Sequence, residues 1–234
     1  MTFALVAHNQ SMNIDSIISQ FLNQMLVGHS PLIDQLIEST QSHFLTTAVL
    51  VAALWWLWFK YPSPESRSRL VIGVLAALVA VSIARTLQLT LPIHVRPLFN
   101  PDLHLKPVNS ILPEGLHHWS SAPSDSATYL FALVAVAWFQ HRKLGLLSLI
   151  PAVVMCVGRV ISGIHYASDV LEGAVLGVSI VAMSQLVPVP NVVRRLPFNS
   201  PLLIAFLFLA SFEIASYLID VQNVLGHVLR VTPN

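Results

Sequence analysis

The segment Arg159-Val-Ile-Ser-Gly-Ile-His165-Tyr-Ala-Ser-Asp169 lies where one long apolar stretch ends and the next begins. Charged side chains at the margin of a bilayer-length apolar run are costly, and they need a partner or a chemical role. Taken singly, a snorkelling arginine, an interfacial histidine and a helix-capping aspartate are the commoner explanations. Taken together with a second element upstream, they favour a site in which the arginine holds phosphate, the histidine attacks it and the aspartate orients the histidine.

The composition indicates a polytopic membrane protein. Of the 234 residues, 55% are hydrophobic and only 10% are charged, and the mean hydropathy is +0.70. A soluble core does not need that much apolar surface. The net charge of +1 gives no reason to expect a nucleic-acid partner. The single cysteine excludes an intramolecular disulfide, and the chain begins with no positive region typical of a signal peptide.

Residues 1–42 are too polar to span a bilayer, yet they contain an amphipathic pattern. Gly28 breaks the first predicted helix, and Ser30 followed by Pro31 is typical of the start of a second. We expect two amphipathic helices that lie on the bilayer surface or against the bundle, followed by a membrane domain over residues 43–234. The apolar positions of the first helix follow the i, i+3, i+4, i+7 rule: Ile14, Ile17, Ile18, Phe21, Leu22, Met25 and Leu26.

The remaining sequence predicts an all-α fold, a membrane helix bundle of about six spans. The third and fourth are short for a bilayer core and are expected to extend at their ends. Gly173-x3-Gly177 indicates close helix packing, and the long connection over 92–124 is expected to be functional. The predicted spans cover about residues 43–59, 70–91, 125–140, 144–162, 169–187 and 201–219.

Basic residues predict the orientation. Seven lie in the loops between spans one and two, three and four, and five and six, against three on the opposite face. The positive-inside rule therefore places the first group in the cytoplasm and every candidate motif on the outer or periplasmic face. The seven are Lys60, Arg67, Arg69, Arg142, Lys143, Arg194 and Arg195.

The pattern Arg159-x5-His165-x3-Asp169 resembles the third signature motif of the type 2 phosphatidic acid phosphatase family of membrane lipid phosphatases. The resemblance covers about residues 43–190 and extends to the six-span layout. It implies that Arg159 binds phosphate, that His165 is the nucleophile and that Asp169 orients the histidine. Gly158 stands where the family has a serine. Asp169 is also expected to open the fifth span as a helix cap.

A second element, Ser120–Ala127, resembles the family's PSGH motif, especially its PSDHA variant. Serine and free amides at a helix N-terminus can bind an anion, so phosphate is expected to meet Ser124 and the amides of Asp125 and Ser126. The alternative is a Ser/Asp helix cap with nothing bound.

Ser126 occupies the position of the family histidine that protonates the leaving group. Serine cannot serve as an acid near neutral pH. Three interpretations stay open: a disabling engineered substitution, a natural loss of activity, or replacement by another group. His117 and His118, in the same loop, are candidates for that replacement.

The first motif of the family, K-x6-RP, is incomplete. Arg96 is followed by proline as expected, but Leu89 stands at the lysine position. Arg85 lies one helical turn earlier on the same face and could supply the missing cation. Its alternative role is a charge paired within the bundle, with Glu172 or Glu213. Arg96 and Arg85 are therefore candidate phosphate ligands, since the planar guanidinium binds phosphate oxygens bidentately.

The resemblance implies a metal-independent, cofactor-free hydrolase of the inner membrane. Its substrate would be a lipid phosphate or a polyprenyl diphosphate of the undecaprenyl pyrophosphate type, attacked at the periplasmic surface. The departures at Leu89 and Ser126 favour an alternative, a non-catalytic protein that binds lipid phosphate or assists assembly. A transporter is less favoured because the sequence shows no inverted repeat.

Overall fold

The computed structural model describes residues 13–41, 43–108 and 119–215, and its regular elements are all helical. The predicted all-α membrane bundle is confirmed. Two single-turn 3₁₀ segments, Pro97–Phe99 and Pro101–Leu103, follow α4. The helices are α1 (Ile14–Leu26), α2 (Pro31–Thr40), α3 (His43–Lys60), α4 (Pro64–Thr90), α5 (Asp125–Gln140), α6 (Arg142–Ile161), α7 (Ala167–Leu186), α8 (Asn191–Arg194) and α9 (Pro201–Ala215).

The six predicted spans correspond in order to α3, α4, α5, α6, α7 and α9. Within the described residues, α4, α6 and α7 are long and apolar enough to cross a membrane by themselves. Helices α2 and α3, bent by 50° at a short break, supply a fourth span if they are counted together. The expected extension of α5 is wrong: the helix begins at Asp125 after the Ser124 cap, ends at Gln140 and is only 16 residues long.

Helix α5 is the centre of the bundle rather than a lipid-facing span. It contacts α3, α4, α6 and α7, and 12 of its residues are buried. Gly173 and Gly177 of α7 lie directly on its backbone: a Cβ at either position would overlap a carbonyl oxygen, that of Ser124 or that of Thr128. The predicted packing role of these two glycines is confirmed.

The Gly177→Ala substitution is therefore expected to destabilise the bundle. Backbone atoms of α5 cannot move aside cheaply, so the extra methyl should cost about 1–3 kcal/mol. Thermal unfolding in detergent measures this. Val178→Ala is the matched control, because Val178 is the next residue on α7 but is 40% exposed. Equal stability of the Gly177→Ala and unsubstituted proteins would contradict the packing described.

Helix α1 presents its polar face to the bundle. Ser16, Ser19 and Asn23 are buried, whereas the apolar Ile17 and Phe21 are exposed. The amide of Asn23 donates to the carbonyl oxygen of Ile161 at 2.9 Å and to that of Lys106 at 3.0 Å. Its own oxygen accepts from the Lys106 amide at 2.8 Å. The helix thus connects the end of α6 to the loop after α4 and leaves an apolar face suited to lipid.

The chain order gives the bundle two chemically different ends. At one end lie the C-termini of α4 and α6 and the N-termini of α5 and α7, joined by contacts such as Gln88 Nε2 to the Pro123 carbonyl at 2.7 Å. At the other end Arg69 donates to the carbonyl oxygens of Gln185 and Val187 at 2.7 and 2.8 Å. The seven basic loop residues share this second end, while the predicted site residues share the first.

Candidate active site

The three sequence elements meet at the end of the bundle formed by the C-termini of α4 and α6 and the N-termini of α5 and α7. Nη1 of Arg96, from the loop after α4, lies 3.5 Å from Nε2 of His165, from the turn between α6 and α7. The Ser124 amide at the start of α5 donates to the Asp169 carbonyl in α7 at 2.9 Å. Residues far apart in the sequence thus form one polar cluster beneath the surface.

His165 is held in one tautomer. Its side chain is 2% exposed, and Nδ1 lies 2.9 Å from the carbonyl oxygen of Ser121. A carbonyl oxygen only accepts, so Nδ1 must carry the hydrogen, and Nε2 keeps a lone pair. Oδ2 of Asp169 is 3.9 Å from Nδ1. The Ser121 carbonyl therefore orients the ring through a hydrogen bond, and Asp169 acts on it through charge.

The surroundings of His165 keep it neutral. Burial lowers the pKa of His165 to about 4, and the positive charge of Arg96 acts in the same direction. Neutral imidazole is the form with a free lone pair, so the ring is in a nucleophilic state at any pH near 7.

Arg96 is fixed beside the free nitrogen of His165. Nη1 donates to the Ile164 carbonyl at 2.9 Å and Nη2 to the Ser120 carbonyl at 3.3 Å. The residue is buried, and its Nε has no hydrogen-bond partner. A buried guanidinium with an unused donor next to a nucleophile suits a bound phosphoryl group.

Asp169 is fully buried, but it is the third residue of α7 rather than its cap. The helix begins at Ala167, and Oδ2 accepts the backbone N–H of Tyr166 at 2.8 Å. The predicted cap role is therefore corrected, because the carboxylate reaches back over the first turn instead of opening it. Its second oxygen, Oδ1, lies 3.3 Å from Nδ1 of His94.

Arg85 has a different partner from those predicted. Its Nε lies 2.6 Å from Oδ2 of Asp125, and its guanidinium lies 5.1 Å from the centroid of the Trp119 ring. Asp125 rather than Glu172 is thus the carboxylate beside it, and the side chain of Glu213 lies outside the described residues. Arg85 stays near the site but is tied to the start of α5.

The start of α5 uses most of its polar groups internally. Ser124 Oγ accepts from the Ala127 amide at 3.3 Å, which caps the helix. The Ser126 amide donates to Asp125 Oδ1 at 2.8 Å, and the Ser126 hydroxyl donates to the same oxygen at 3.4 Å. Of the two amides expected to meet phosphate, that of Ser126 is already engaged.

Arg159 occupies the last turn of α6 and is buried, with Nη2 donating to the Gln41 carbonyl at 3.4 Å. The presence of glycine at position 158, where the family has serine, has a steric explanation. A Cβ there would overlap the Thr40 side chain at the end of α2. The N-terminal helices therefore fill the space that a serine before the arginine would need.

Sequence reasoning missed His94. The feature that could have pointed to it is its position within the first motif, between Leu89 and Arg96 and two residues before the arginine. His117 and His118, the predicted replacements for the family histidine, lie outside the described residues. Among the described residues no group of three or more His, Cys, Asp or Glu side chains is arranged to hold a metal ion.

A family model described as the PAP2 superfamily matches residues 100–192, a range that contains Ser124, Arg159, His165 and Asp169. The chain carries a PAP2 superfamily domain. The resemblance to the type 2 phosphatidic acid phosphatase family is thereby confirmed. Arg85 and Arg96 lie before the matched range.

The chain is also similar to three curated proteins. "Bacitracin transport permease protein BcrC" of Bacillus licheniformis is 26% identical over 71% of this chain and 76% of its own length. "Lipid A 1-diphosphate synthase" of Escherichia coli K12 is 27% identical over 72% of this chain and 73% of its own. "Putative undecaprenyl-diphosphatase YbjG" of the same strain is 33% identical over 57% and 62%. No solved structure gives a significant match.

Proposed function

We propose that the protein is a membrane lipid phosphatase that works through a phosphohistidine on His165. The observation that carries this proposal is the neutral, buried His165, whose unprotonated Nε2 lies 3.5 Å from Nη1 of the Arg96 guanidinium. A nucleophile and a phosphate-binding cation are thereby presented to the same space.

The reaction has two steps. Nε2 of His165 forms a bond to phosphorus while the bond from phosphorus to the leaving oxygen breaks, and Arg96 and Arg159 stabilise the phosphoryl oxygens. The Ser121 carbonyl and the Asp169 charge stabilise the positive ring that results. Water then attacks phosphorus, the P–N bond breaks, and inorganic phosphate leaves.

The substrate that fits best is a lipid diphosphate such as undecaprenyl pyrophosphate. One relative is named a putative undecaprenyl-diphosphatase and another a lipid A 1-diphosphate synthase. A diphosphate also releases a phosphate monoester, a better leaving group than an alkoxide, so it needs a proton donor less. The distribution of basic residues supports an inner-membrane protein with this site on the periplasmic side.

Ser126 supports a second candidate. Without the family histidine, the protein could bind a lipid phosphate and not turn it over. General acid catalysis contributes roughly 10²–10⁴-fold, so its loss alone could reduce the rate below detection on a poor leaving group.

Phosphate release separates the two candidates. The unsubstituted protein and Ser126→His are assayed with chelator present, on undecaprenyl diphosphate and on phosphatidic acid. We expect release from the diphosphate by both proteins, and release from phosphatidic acid by Ser126→His at least as fast as by the unsubstituted protein. If Ser126→His is silent on every substrate, the enzyme proposal fails and the binding role is favoured.

The pKa values of His165 and His94 are expected to be shifted in opposite directions from that of an ordinary histidine. Burial lowers the pKa of His165 to about 4, so its ring should stay neutral as the pH falls from 7 to 5. The Asp169 carboxylate, 3.3 Å away, raises the pKa of His94, so its ring should stay protonated to a pH above the ordinary 6.5. NMR of ¹⁵N-labelled imidazoles in micelles, assigned with His165→Gln and His94→Gln, measures both. A His165 signal that titrates near 6.5 would contradict the burial described.

A further inference from the structure

We propose that His94 is the proton donor to the leaving group. It would replace the family histidine, whose position is occupied by Ser126. This inference rests on the proposed phosphatase function and adds a residue to the site. The Ser126 hydroxyl points to Asp125 and cannot donate a proton near neutral pH, so the reaction needs an acid from elsewhere.

The backbone around His94 fixes its position. The His94 amide donates to Ser120 Oγ at 3.2 Å, and the His94 carbonyl accepts from the Ser121 amide at 2.9 Å. The loop after α4 is thus bonded directly to the segment that leads into α5. The ring also packs on Tyr166, with 5.0 Å between the ring centroids.

One nitrogen of His94 is engaged, and among the described residues the other has no hydrogen-bond partner. Nδ1 lies 2.9 Å from Ser121 Oγ and 3.3 Å from Asp169 Oδ1. The side chain is 38% exposed, in contrast to 2% for His165. A half-exposed ring that is anchored through Nδ1 beside a carboxylate can serve as a general acid.

Two shared partners bring His94 and His165 together. Ser121 contacts Nδ1 of His94 with its hydroxyl and Nδ1 of His165 with its carbonyl. Asp169 has one oxygen 3.3 Å from His94 and the other 3.9 Å from His165. The Nδ1 edges of both rings therefore belong to one hydrogen-bonded cluster, which places His94 beside the nucleophile.

The charges around the two rings assign them different roles. Asp169, Glu172 and Asp15 all favour the protonated form of His94, and together they outweigh its partial burial, so that its pKa is raised. His165 is buried beside Arg96, and its pKa is lowered. Two titratable groups whose pKa values are moved apart are suited to act as acid and nucleophile at the same pH.

The proton balance is complete with these two residues. His94 Nε2–H donates its proton to the leaving oxygen as the P–O bond breaks and His165 Nε2 bonds to phosphorus. Neutral His94 then accepts a proton from the water that attacks the phosphohistidine, and the P–N electron pair returns to His165. Both rings end in their starting states.

The test is how the effect of His94→Gln depends on the leaving group. Phosphatidic acid releases an alkoxide, which needs a proton, whereas 4-nitrophenyl phosphate releases a stable phenolate, which does not. We expect a loss on the order of 100-fold on phosphatidic acid and less than about threefold on the aryl phosphate. The ratio is taken within one preparation, so the fraction of folded protein cancels. Equal losses on both substrates would overturn the proposal, because a merely structural histidine affects both alike.

Two further proteins sharpen the test. His141→Gln is the matched control, since His141 caps α6 at the far end of the bundle, and its ratio should equal that of the unsubstituted protein. Adding Ser126→His to His94→Gln should restore the phosphatidic acid rate. A double variant no better than His94→Gln alone counts against the assignment. If the unsubstituted protein releases phosphate from neither substrate nor from undecaprenyl diphosphate, the proposed function itself fails.

Discussion

Replacing His165 with glutamine is expected to lower the rate of phosphate release by about 10⁴-fold or more. Removal of a covalent nucleophile from a site that acts as a unit costs that much, because the remaining groups only bind and polarise the substrate. The glutamine amide can still donate to the Ser121 carbonyl that now accepts from Nδ1 at 2.9 Å. The fold should therefore survive, and single-turnover phosphate release on undecaprenyl diphosphate measures the loss.

Binding distinguishes loss of chemistry from loss of the site. His165→Gln should still bind the lipid diphosphate with nearly unchanged affinity, since Arg96 and Arg159 remain. His141→Gln, at the opposite end of the bundle, should keep full activity. A His165→Gln protein with more than about a tenth of the original rate would show that another group attacks phosphorus.

The Arg96→Lys substitution is expected to reduce kcat/KM by roughly 10²–10³-fold. Lysine keeps the charge but cannot hold the Ile164 and Ser120 carbonyls and also present a donor beside Nε2 of His165. The planar guanidinium can donate hydrogen bonds to these three acceptors at once, and an ammonium group on the lysine stem cannot match that geometry. The effect should fall on kcat as well as KM, because charge on the phosphoryl oxygens is best stabilised in the transition state.

Arg69→Lys is the matched control for this substitution. Arg69 also donates to two backbone carbonyls, those of Gln185 and Val187, but at the basic end of the bundle. We expect its kinetics to match the unsubstituted protein. Equal losses for Arg69→Lys and Arg96→Lys would show that the arginine at 96 only stabilises the fold.

Much of the fold follows from the sequence because apolar length and periodicity are local properties. The two N-terminal helices, the six longer helices and the packing role of Gly173 and Gly177 could all be predicted. The features that could not be predicted are helix ends and the face that α1 turns to the bundle. Helix α5 ends at the residue before His141, which caps α6, and the inward polar face of α1 depends on the carbonyls that Asn23 meets.

The site was predictable where motif spacing carries the information. Arg96 and His165 were proposed from their motifs, and the structure brings them to 3.5 Å. The partners of these residues were not predictable, because they come from segments that are distant in the sequence and meet only in the folded bundle. Asp125 beside Arg85, the Ser121 carbonyl on His165, and His94 beside Asp169 all depend on how the loop after α4 meets the start of α5.

The central claim is that His165 carries the phosphoryl group, and acid-labile labelling tests it most directly. The protein is mixed with undecaprenyl diphosphate labelled with ³²P in the terminal phosphate, quenched in alkali within one turnover, and digested for mass spectrometry. We expect an alkali-stable, acid-labile phosphate on the peptide that contains His165, absent from His165→Gln. Phosphate release without any label on His165, or binding of the lipid with neither label nor release, would contradict the claim.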